Sequence, residues 1–187
     1  MGRLIRAGVV SLDGYYEDSD GTIDWSLPEP ELHRYANEMV GELDGIVMGR
    51  RLYEAMVPYW HDVLRSGDDD EIAMDFARIW DRIPKYVASR TLTEVHETCT
   101  LLRADAIEAV LELKRSTDGD IEIGGGILSE QLDEIGEIDV YRPWLTPVAI
   151  GGGKPFFPAG RRKEDLELTD LKRFPRGSVV LEYTVRP

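Results

Sequence analysis

The sequence predicts an α/β fold built on one mixed, mainly parallel sheet with helices on both faces. Apolar strand-like runs alternate with amphipathic helical patterns through the first two thirds of the chain. The final third is strand-like and ends in a hairpin, which adds antiparallel strands to the sheet. Three strand-like runs also lead directly into short turns rich in glycine, serine or arginine, as expected where parallel strands present ligand-binding loops.

The first half of the chain supplies the first part of this alternation. A strand is predicted over residues 4–11, and it enters a turn at Asp13-Gly14. The polar stretch 16–30 is long for a compact domain, and such loops often act as lids. A helix is predicted over 31–43, because its apolar residues share one face and Pro30 suits its start. The next predicted elements are a buried strand over 45–49, a short helix over 50–56, an irregular stretch over 58–70 and a helix over 71–81.

The second half continues the alternation and then becomes all strand. Its predicted elements are strands over 85–89 and 98–102, a helix over 105–116, a strand over 121–123 and a helix over 127–135. Strands are then predicted over 138–142, 147–150, 166–174 and 178–185, and Pro175-Arg176-Gly177 joins the last two as a hairpin. Because the chain has no internal repeat and no boundary in composition, we expect residues 1–187 to form a single domain.

Composition restricts the class of partner. A formal net charge of −14 opposes nucleic acid and anionic membranes, although a local pair such as Arg50-Arg51 still allows a phosphorylated cofactor. The single cysteine, Cys99, forms no intramolecular disulfide, and three separated histidines disfavour a metal site. No stretch approaches the roughly 20 apolar residues of a membrane helix. We therefore expect a cytoplasmic protein that binds no metal, nucleic acid or membrane.

The three turns favour a ligand with several phosphates. Arg50 and Arg51 follow Gly49 at a predicted helix start, where a cation is unfavourable unless it meets an anion; the alternative is a surface pair with Glu54. Small side chains at 124–126 expose backbone N–H groups toward a pyrophosphate, or simply make a strand-to-helix turn. The third turn is Ser89-Arg90. Three such turns in one small domain indicate a dinucleotide.

Two further features carry less information. The segment Gly151-Gly152-Gly153-Lys154 lacks the spacing of an ATP-binding P-loop, so we interpret it as a structural turn near the substrate cavity. Asp13, at the end of the first strand, is the most interesting acid, either as a functional group or as a turn-former.

These elements, in this order, resemble the dihydrofolate reductase-like superfamily. The closer resemblance is to its branch related to the reductase domain of bifunctional riboflavin biosynthesis proteins. It implies a three-layer α-β-α fold, a homodimer, and NADPH lying across the strand ends. The segments that carry it are Ser11-Leu12-Asp13-Gly14, Met48-Gly49-Arg50-Arg51-Leu52-Tyr53-Glu54, Ala88-Ser89-Arg90-Thr91-Leu92, Ile123-Gly124-Gly125-Gly126 and residues 147–157.

The resemblance also implies roles for individual residues. The first strand end, near 9–14, flanks the nicotinamide, and the loop 15–25 closes over the reacting centre. The implied cofactor contacts are Gly49, Arg50 and Arg51 to the adenosine-side phosphates, Ser89 and Arg90 to the ribose 2′-phosphate, and Gly124, Gly125 and Gly126 with Ile127 and Leu128 to the pyrophosphate.

Departures from the family pattern leave the substrate open. Leu52 stands where threonine is usual, Tyr15 stands where riboflavin-type reductases usually have lysine, and no pterin-binding carboxylate can be assigned among Glu31 and Glu38.

The function predicted from the sequence is an NADPH-dependent reductase that transfers hydride to a small heterocyclic, pterin- or pyrimidine-like, or carbonyl substrate. Asp13 is the candidate to polarise or protonate the acceptor. The candidates to stack on a flat substrate are Tyr15, Trp25, Tyr53 and Tyr59. Two alternatives stay open: a nucleotide-binding or sensing protein without turnover, and a reductase that uses a flavin or deazaflavin.

Overall fold

The computed structural model describes residues 1–67, 70–103, 105–124 and 126–186. These residues contain ten strands and five α-helices. The strands are β1 Arg3–Ser11, β2 Tyr15–Glu17, β3 Gly45–Gly49, β4 Lys85–Ala88, β5 Cys99–Leu102, β6 Asp120–Gly124, β7 Val140–Thr146, β8 Lys154–Pro155, β9 Leu166–Arg173 and β10 Val179–Val185. The helices are α1 Pro30–Gly41, α2 Arg50–Ser66, α3 Glu71–Arg82, α4 Ala106–Ser116 and α5 Gly126–Glu134. A single 3-10 turn, Asp24–Ser26, lies between β2 and α1.

Eight strands form one sheet in the order β5-β4-β3-β6-β1-β7-β10-β9. The strands from β5 to β7 are parallel, whereas β10 is antiparallel to both β7 and β9. This arrangement confirms the predicted mixed, mainly parallel sheet with an antiparallel edge. The short strands β2 and β8 pair with each other outside the main sheet.

Side chains alternate between two apolar layers, because neighbouring residues of a strand point to opposite faces. On one face, Leu4, Ile121 and Ile123 pack against α4 and α5 through residues such as Val110 and Leu132. On the other face, a second cluster joins the sheet to α1, α2 and α3; its members include Ile5, Ile46, Met48, Val57, Phe76 and Trp80. The helices therefore cover both faces, as the sequence predicts.

The structure corrects the prediction that residues 58–70 are irregular. Helix α2 runs from Arg50 to Ser66 and contains Pro58 within it. A proline inside a helix costs about 3 kcal/mol, since it removes one backbone hydrogen bond. Val57 is buried in the cluster on the sheet and Val63 is buried against Ala73 and Ala77 of α3, and this packing offsets the cost.

The last third of the chain also differs from the sequence prediction in one place. The predicted strand over 147–150 is wrong, because β7 itself continues to Thr146 and the following segment forms a loop. In that loop the Val148 carbonyl accepts a hydrogen bond from the Leu12 amide at 2.7 Å, which ties it to the end of β1. The predicted hairpin at Pro175-Arg176-Gly177 is confirmed, with Gly177 at φ +98°.

Candidate active site

Four turns lie side by side at the carboxyl ends of β4, β3, β6 and β1, which are neighbours in the sheet. We call this set the carboxyl edge; its described residues are 89–90, 49–51, 124, 126 and 11–14. Strands lie about 4.8 Å apart, so the first and last of these turns are separated by about 14 Å. The turn after β6 leads to α5 on one face, whereas those after β3 and β1 lead to helices on the other. Chains that diverge in this way leave a crevice where α/β sheets bind ligands.

The turn after β3 places two arginines at the first turn of α2. Gly49 precedes the helix in an extended conformation, and no side chain caps the free N–H groups there. A Cβ at Gly49 would meet nothing within 4 Å, so the space beside it is open. Arg50 approaches Thr91 at 3.4 Å and Glu54 at 3.6 Å, so one arginine has local partners. Within the described ranges Arg51 makes no hydrogen bond or ion pair.

The turn after β4 is shaped by Ser89 and exposes Arg90. The Ser89 hydroxyl accepts hydrogen bonds from the amides of Thr91 and Leu92, at 3.2 and 3.1 Å. Arg90 is exposed, and the structure gives it no hydrogen bond or ion pair with any described residue. The carboxyl edge thus presents two arginines, Arg51 and Arg90, whose donors are available to an anion.

The glycines after β6 are required by close packing. A Cβ at Gly124 would lie 2.5 Å from Leu52 of α2, and a Cβ at Gly126 would overlap the hydroxyl of Tyr16. Gly125 lies outside the described residues. Ile127 is exposed, whereas the Leu128 side chain is buried in the core, so Leu128 offers only its backbone to a ligand at this turn.

Tyr16 is a site residue that the sequence did not reveal. Its hydroxyl lies beside Gly126 at the start of α5. Burial raises the pKa of the Tyr16 phenol, with the carboxylate of Glu130 acting in the same direction and the charges of Arg6 and Arg51 opposing it. The tyrosine therefore stays protonated at neutral pH and offers a donor beside the glycine turn.

The turn after β1 is fastened to the loop that follows β7. The Asp13 carboxylate accepts hydrogen bonds from the amides of Ile150 and Gly151, at 3.1 and 2.7 Å. A hydrogen bond from the Ser11 hydroxyl and these two amides lower the pKa of the Asp13 carboxyl, which keeps it ionised at neutral pH. The Phe156 amide also donates to the Gly14 carbonyl at 2.8 Å. The catalytic role predicted for Asp13 stays a prediction.

The glycine-rich loop 151–153 packs against the start of the predicted lid. Gly153 has φ +141°, and a Cβ there would overlap the backbone carbonyl of Glu17. Lys154 forms an ion pair with the Glu17 side chain. These contacts join β2 and β8 and hold residues 14–17 over the end of β1.

The four aromatic candidates do not all meet at this place. Tyr15 donates its amide to the Ser11 hydroxyl at 3.0 Å, and the 3-10 turn that carries Trp25 lies near β1. The Tyr53 hydroxyl accepts a hydrogen bond from the His96 amide at 3.0 Å. Tyr59 is 58% exposed and lies nine residues, or about 14 Å, beyond the start of α2. Tyr15 and Trp25 are therefore the two nearest the end of β1.

Several ionic groups are buried within the sheet layers. Arg6 lies 3.0 Å from Asp133, which Tyr141 and Arg161 also contact; this network is paired throughout and is assigned to stability. On the opposite face of β6, Glu122 has no hydrogen bond with any described residue.

In the described ranges no three histidine, cysteine, aspartate or glutamate side chains are arranged to hold a metal ion. Nor does any helix there combine the length and apolar character needed to span a bilayer.

Comparisons with known proteins support the fold described above. The sequence profile of the RibD C-terminal domain matches residues 4–180. The uncharacterized protein YyaP of Bacillus subtilis is 26% identical over 182 residues, which is 97% of this chain and 94% of that protein.

Solved structures show the same fold. A putative riboflavin biosynthesis protein from Shewanella sp. PV-4 superposes with a TM-score of 0.71 at 24% identity, over 99% of both chains. Dihydrofolate reductase from Enterococcus faecalis, complexed with NADP(H), superposes with a TM-score of 0.65 at 14% identity, over 99% of this chain and 97% of that one. The Thermotoga maritima diaminohydroxyphosphoribosylaminopyrimidine deaminase/5-amino-6-(5-phosphoribosylamino)uracil reductase gives 0.68 at 14% identity, and this chain spans 56% of it.

Proposed function

Because the chain belongs to the RibD C-terminal domain family, we propose that it is an NADPH-dependent reductase of a small heterocyclic or carbonyl substrate. The observation that carries the proposal is the carboxyl edge itself. Four neighbouring turns there combine open space at Gly49, close-packed glycines, and the unpaired arginines Arg51 and Arg90. An acidic protein that keeps two unpaired arginines at one sheet edge has a local site for an anion.

The adenosine end of NADPH is assigned to the turns after β3 and β4. Arg90, with Ser89 shaping its turn, would hold the ribose 2′-phosphate, and this contact favours NADPH over NADH. Arg50, Arg51 and the free N–H groups at the start of α2 would meet the neighbouring phosphates. Thr91 already links Arg50 to the turn of Ser89, so the two turns form one surface.

The pyrophosphate is assigned to the turn at Gly124, Gly125 and Gly126, with the backbone of Ile127 and Leu128. The start of α5 directs N–H groups toward this position. Tyr16 already lies against Gly126, so its hydroxyl would either donate to a phosphate oxygen or move when the cofactor binds. In both cases, binding of the cofactor at this turn would affect the position of residues 14–17 through Tyr16.

The reacting centre is assigned to the end of β1. When bound, the nicotinamide supplies the hydride, and the protein orients the acceptor and excludes water. We infer that Asp13 acts by holding the 150–151 amides rather than by donating a proton, since its contacts keep it ionised. Tyr15 and Trp25 would border a flat substrate there. The homodimer implied by the resemblance is likewise a proposal, and the mass in solution by light scattering tests it.

A nucleotide sensor without turnover is the second candidate. It is favoured because the amide contacts that keep Asp13 ionised leave it without a proton to donate to a substrate. Titrating the protein with NADPH and with NADH, followed by quenching of its four tryptophans, tests the cofactor assignment that both candidates share. We expect saturable NADPH binding and much weaker NADH binding. If neither NADPH nor NADH binds, both candidate functions are contradicted. Oxidation of bound NADPH by any member of a panel of pterins, pyrimidines and quinones then separates the reductase from the sensor.

A further inference from the structure

Exposed apolar side chains surround the carboxyl end of β1, where the reacting centre is assigned. They are Leu12, Ile23, Leu27 and Val148, and their exposed fractions are 68%, 58%, 86% and 36%. Single exposed apolar residues are common on protein surfaces, whereas several of them around one point mark a binding surface. We call these four residues the apolar rim.

Leu12 and Val148 form one side of the apolar rim. The Leu12 amide donates a hydrogen bond to the Val148 carbonyl at 2.7 Å, so the turn after β1 and the loop after β7 are neighbours there. The tip of the β9–β10 hairpin adjoins the same loop, because a Cβ at Gly177 would lie 3.5 Å from the Pro147 side chain. This side is therefore continuous from β1 to the hairpin.

Ile23 and Leu27 form the other side of the apolar rim. They flank the 3-10 turn, which lies near β1. The Glu29 carboxylate, two residues after Leu27, accepts a hydrogen bond from the Arg176 amide at the tip of the β9–β10 hairpin, at 2.8 Å. This contact holds the segment against the same hairpin tip that adjoins the loop after β7. The two sides therefore border one surface at the end of β1.

The charged groups around the apolar rim oppose an anionic ligand. Two backbone amides already engage the oxygens of Asp13, and the ion pair between β2 and β8 adds no net charge. Asp20 and Asp24 are exposed in the loop that leads to the 3-10 turn, whereas Arg176 contributes one positive charge at the hairpin tip. Three carboxylates against this arginine, in a protein with a net charge of −14, favour a neutral ligand over an anion.

We propose that the substrate of this reductase is an uncharged ring compound without a phosphate group, whose apolar body lies against the apolar rim. The inference rests on the proposed function, and it narrows the substrate class. Tyr15 and Trp25, at the same end of β1, suit a flat ring. The reacting atom would face the nicotinamide, and the remainder of the ring would cover Leu12 and Leu27 and remove their apolar surface from water. A phosphorylated substrate would instead bring negative charge beside the carboxylates around the rim and would bind more weakly.

The test compares 1-naphthol with 1-naphthyl phosphate, which carry the same ring, by calorimetric titration with and without NADPH. The wild-type protein is expected to bind 1-naphthol about tenfold more tightly than the phosphate ester, or better. Leu12→Asp and Leu27→Asp are each expected to weaken 1-naphthol about tenfold, because they remove apolar contact and place a carboxylate beside the ring. Leu168→Asp changes a leucine that is 48% exposed on the edge strand β9, and this control is expected to bind 1-naphthol as the wild type does.

Melting temperature and mass distinguish a ligand-binding role from a structural one. Leu12 and Leu27 are exposed, so both aspartate variants are expected to melt at the wild-type temperature and to keep the wild-type mass by light scattering. A lower melting temperature of both variants, or a fall in their mass from dimer to monomer because a second copy covers the rim, overturns the proposal.

The binding data can also overturn it in three ways. These are absence of 1-naphthol binding to the wild type, equal or tighter binding of the phosphate ester, and an affinity for 1-naphthol that is unchanged in both rim variants or equally reduced in Leu168→Asp. NADPH affinity is measured in parallel, so a failure of NADPH to bind refutes the cofactor assignment, while the titrations without NADPH still decide the role of the rim.

Discussion

Replacing Arg90 by alanine is expected to weaken NADPH binding selectively. Arg90 is exposed and has no partner among the described residues, so its removal should change the free energy of unfolding by less than about 0.5 kcal/mol. A hydrogen bond to a charged group contributes about 1.5–3 kcal/mol, which corresponds to roughly 10- to 150-fold in the dissociation constant. Solvent and salt screen an exposed contact, so we expect a loss near tenfold for NADPH at physiological ionic strength.

The assay is a tryptophan-quenching titration of the wild type and the variant with both nucleotides. NADH lacks the 2′-phosphate, and its dissociation constant should change less than about twofold. Arg34→Ala removes another exposed arginine, on α1, and controls for the general loss of positive charge. If Arg90→Ala weakens both nucleotides equally, or if Arg34→Ala has the same effect, the assignment of the 2′-phosphate to this turn is refuted.

Three further predictions follow from close contacts in the structure. Gly126→Ala places a Cβ that overlaps the Tyr16 hydroxyl, so it should weaken NADPH binding about tenfold, and adding Tyr16→Phe should restore part of the lost affinity. Gly49→Ala places its Cβ in open space and should fold normally. A strongly lowered melting temperature of the Gly49→Ala variant would contradict the geometry. Asp133→Asn should lower the free energy of unfolding by about 3–5 kcal/mol in urea, because it leaves Arg6 buried without its counter-charge, and a loss below about 1 kcal/mol would show the network to be dispensable. Although burial alone raises the pKa of the Asp133 carboxyl, hydrogen bonds from Arg161 and Tyr141 lower it overall. Its contribution is therefore complete above the unfolded value of about 3.9 and is lost as the pH falls through the lower folded value, so Asp133→Asn should flatten the acid limb of the stability–pH profile.

The strand-to-turn pattern predicted the carboxyl edge because it is local in the sequence. A buried run followed by glycine, serine or arginine marks the end of a parallel strand, and the sheet brings those ends together at residues 49–51, 89–90, 124 and 126. The irregular stretch predicted at Pro58 was wrong, because burial of Val57 and Val63 outweighs the local preference of proline.

Tyr16 and Glu122 escaped sequence analysis for a different reason. The position of Tyr16 depends on the loop 151–155 that holds β2, more than 130 residues away in the chain. Glu122 interrupts an apolar strand by a single residue, and only the register with Ile5 and Ile46 shows that it lies on the face of the sheet covered by α1, α2 and α3. Neither relation is encoded in a local pattern.

Backbone amide shifts of isotopically labelled protein, recorded during titration with NADPH, test the central claim most directly. The account predicts that the largest changes occur at the amides of Gly49, Arg90 and Gly126, together with those near Ser11, and that the amino ends of β4 and β5 stay unchanged. Shifts confined to the opposite edge of the sheet, or absent from the turn of Arg90, would contradict a dinucleotide site across the carboxyl edge.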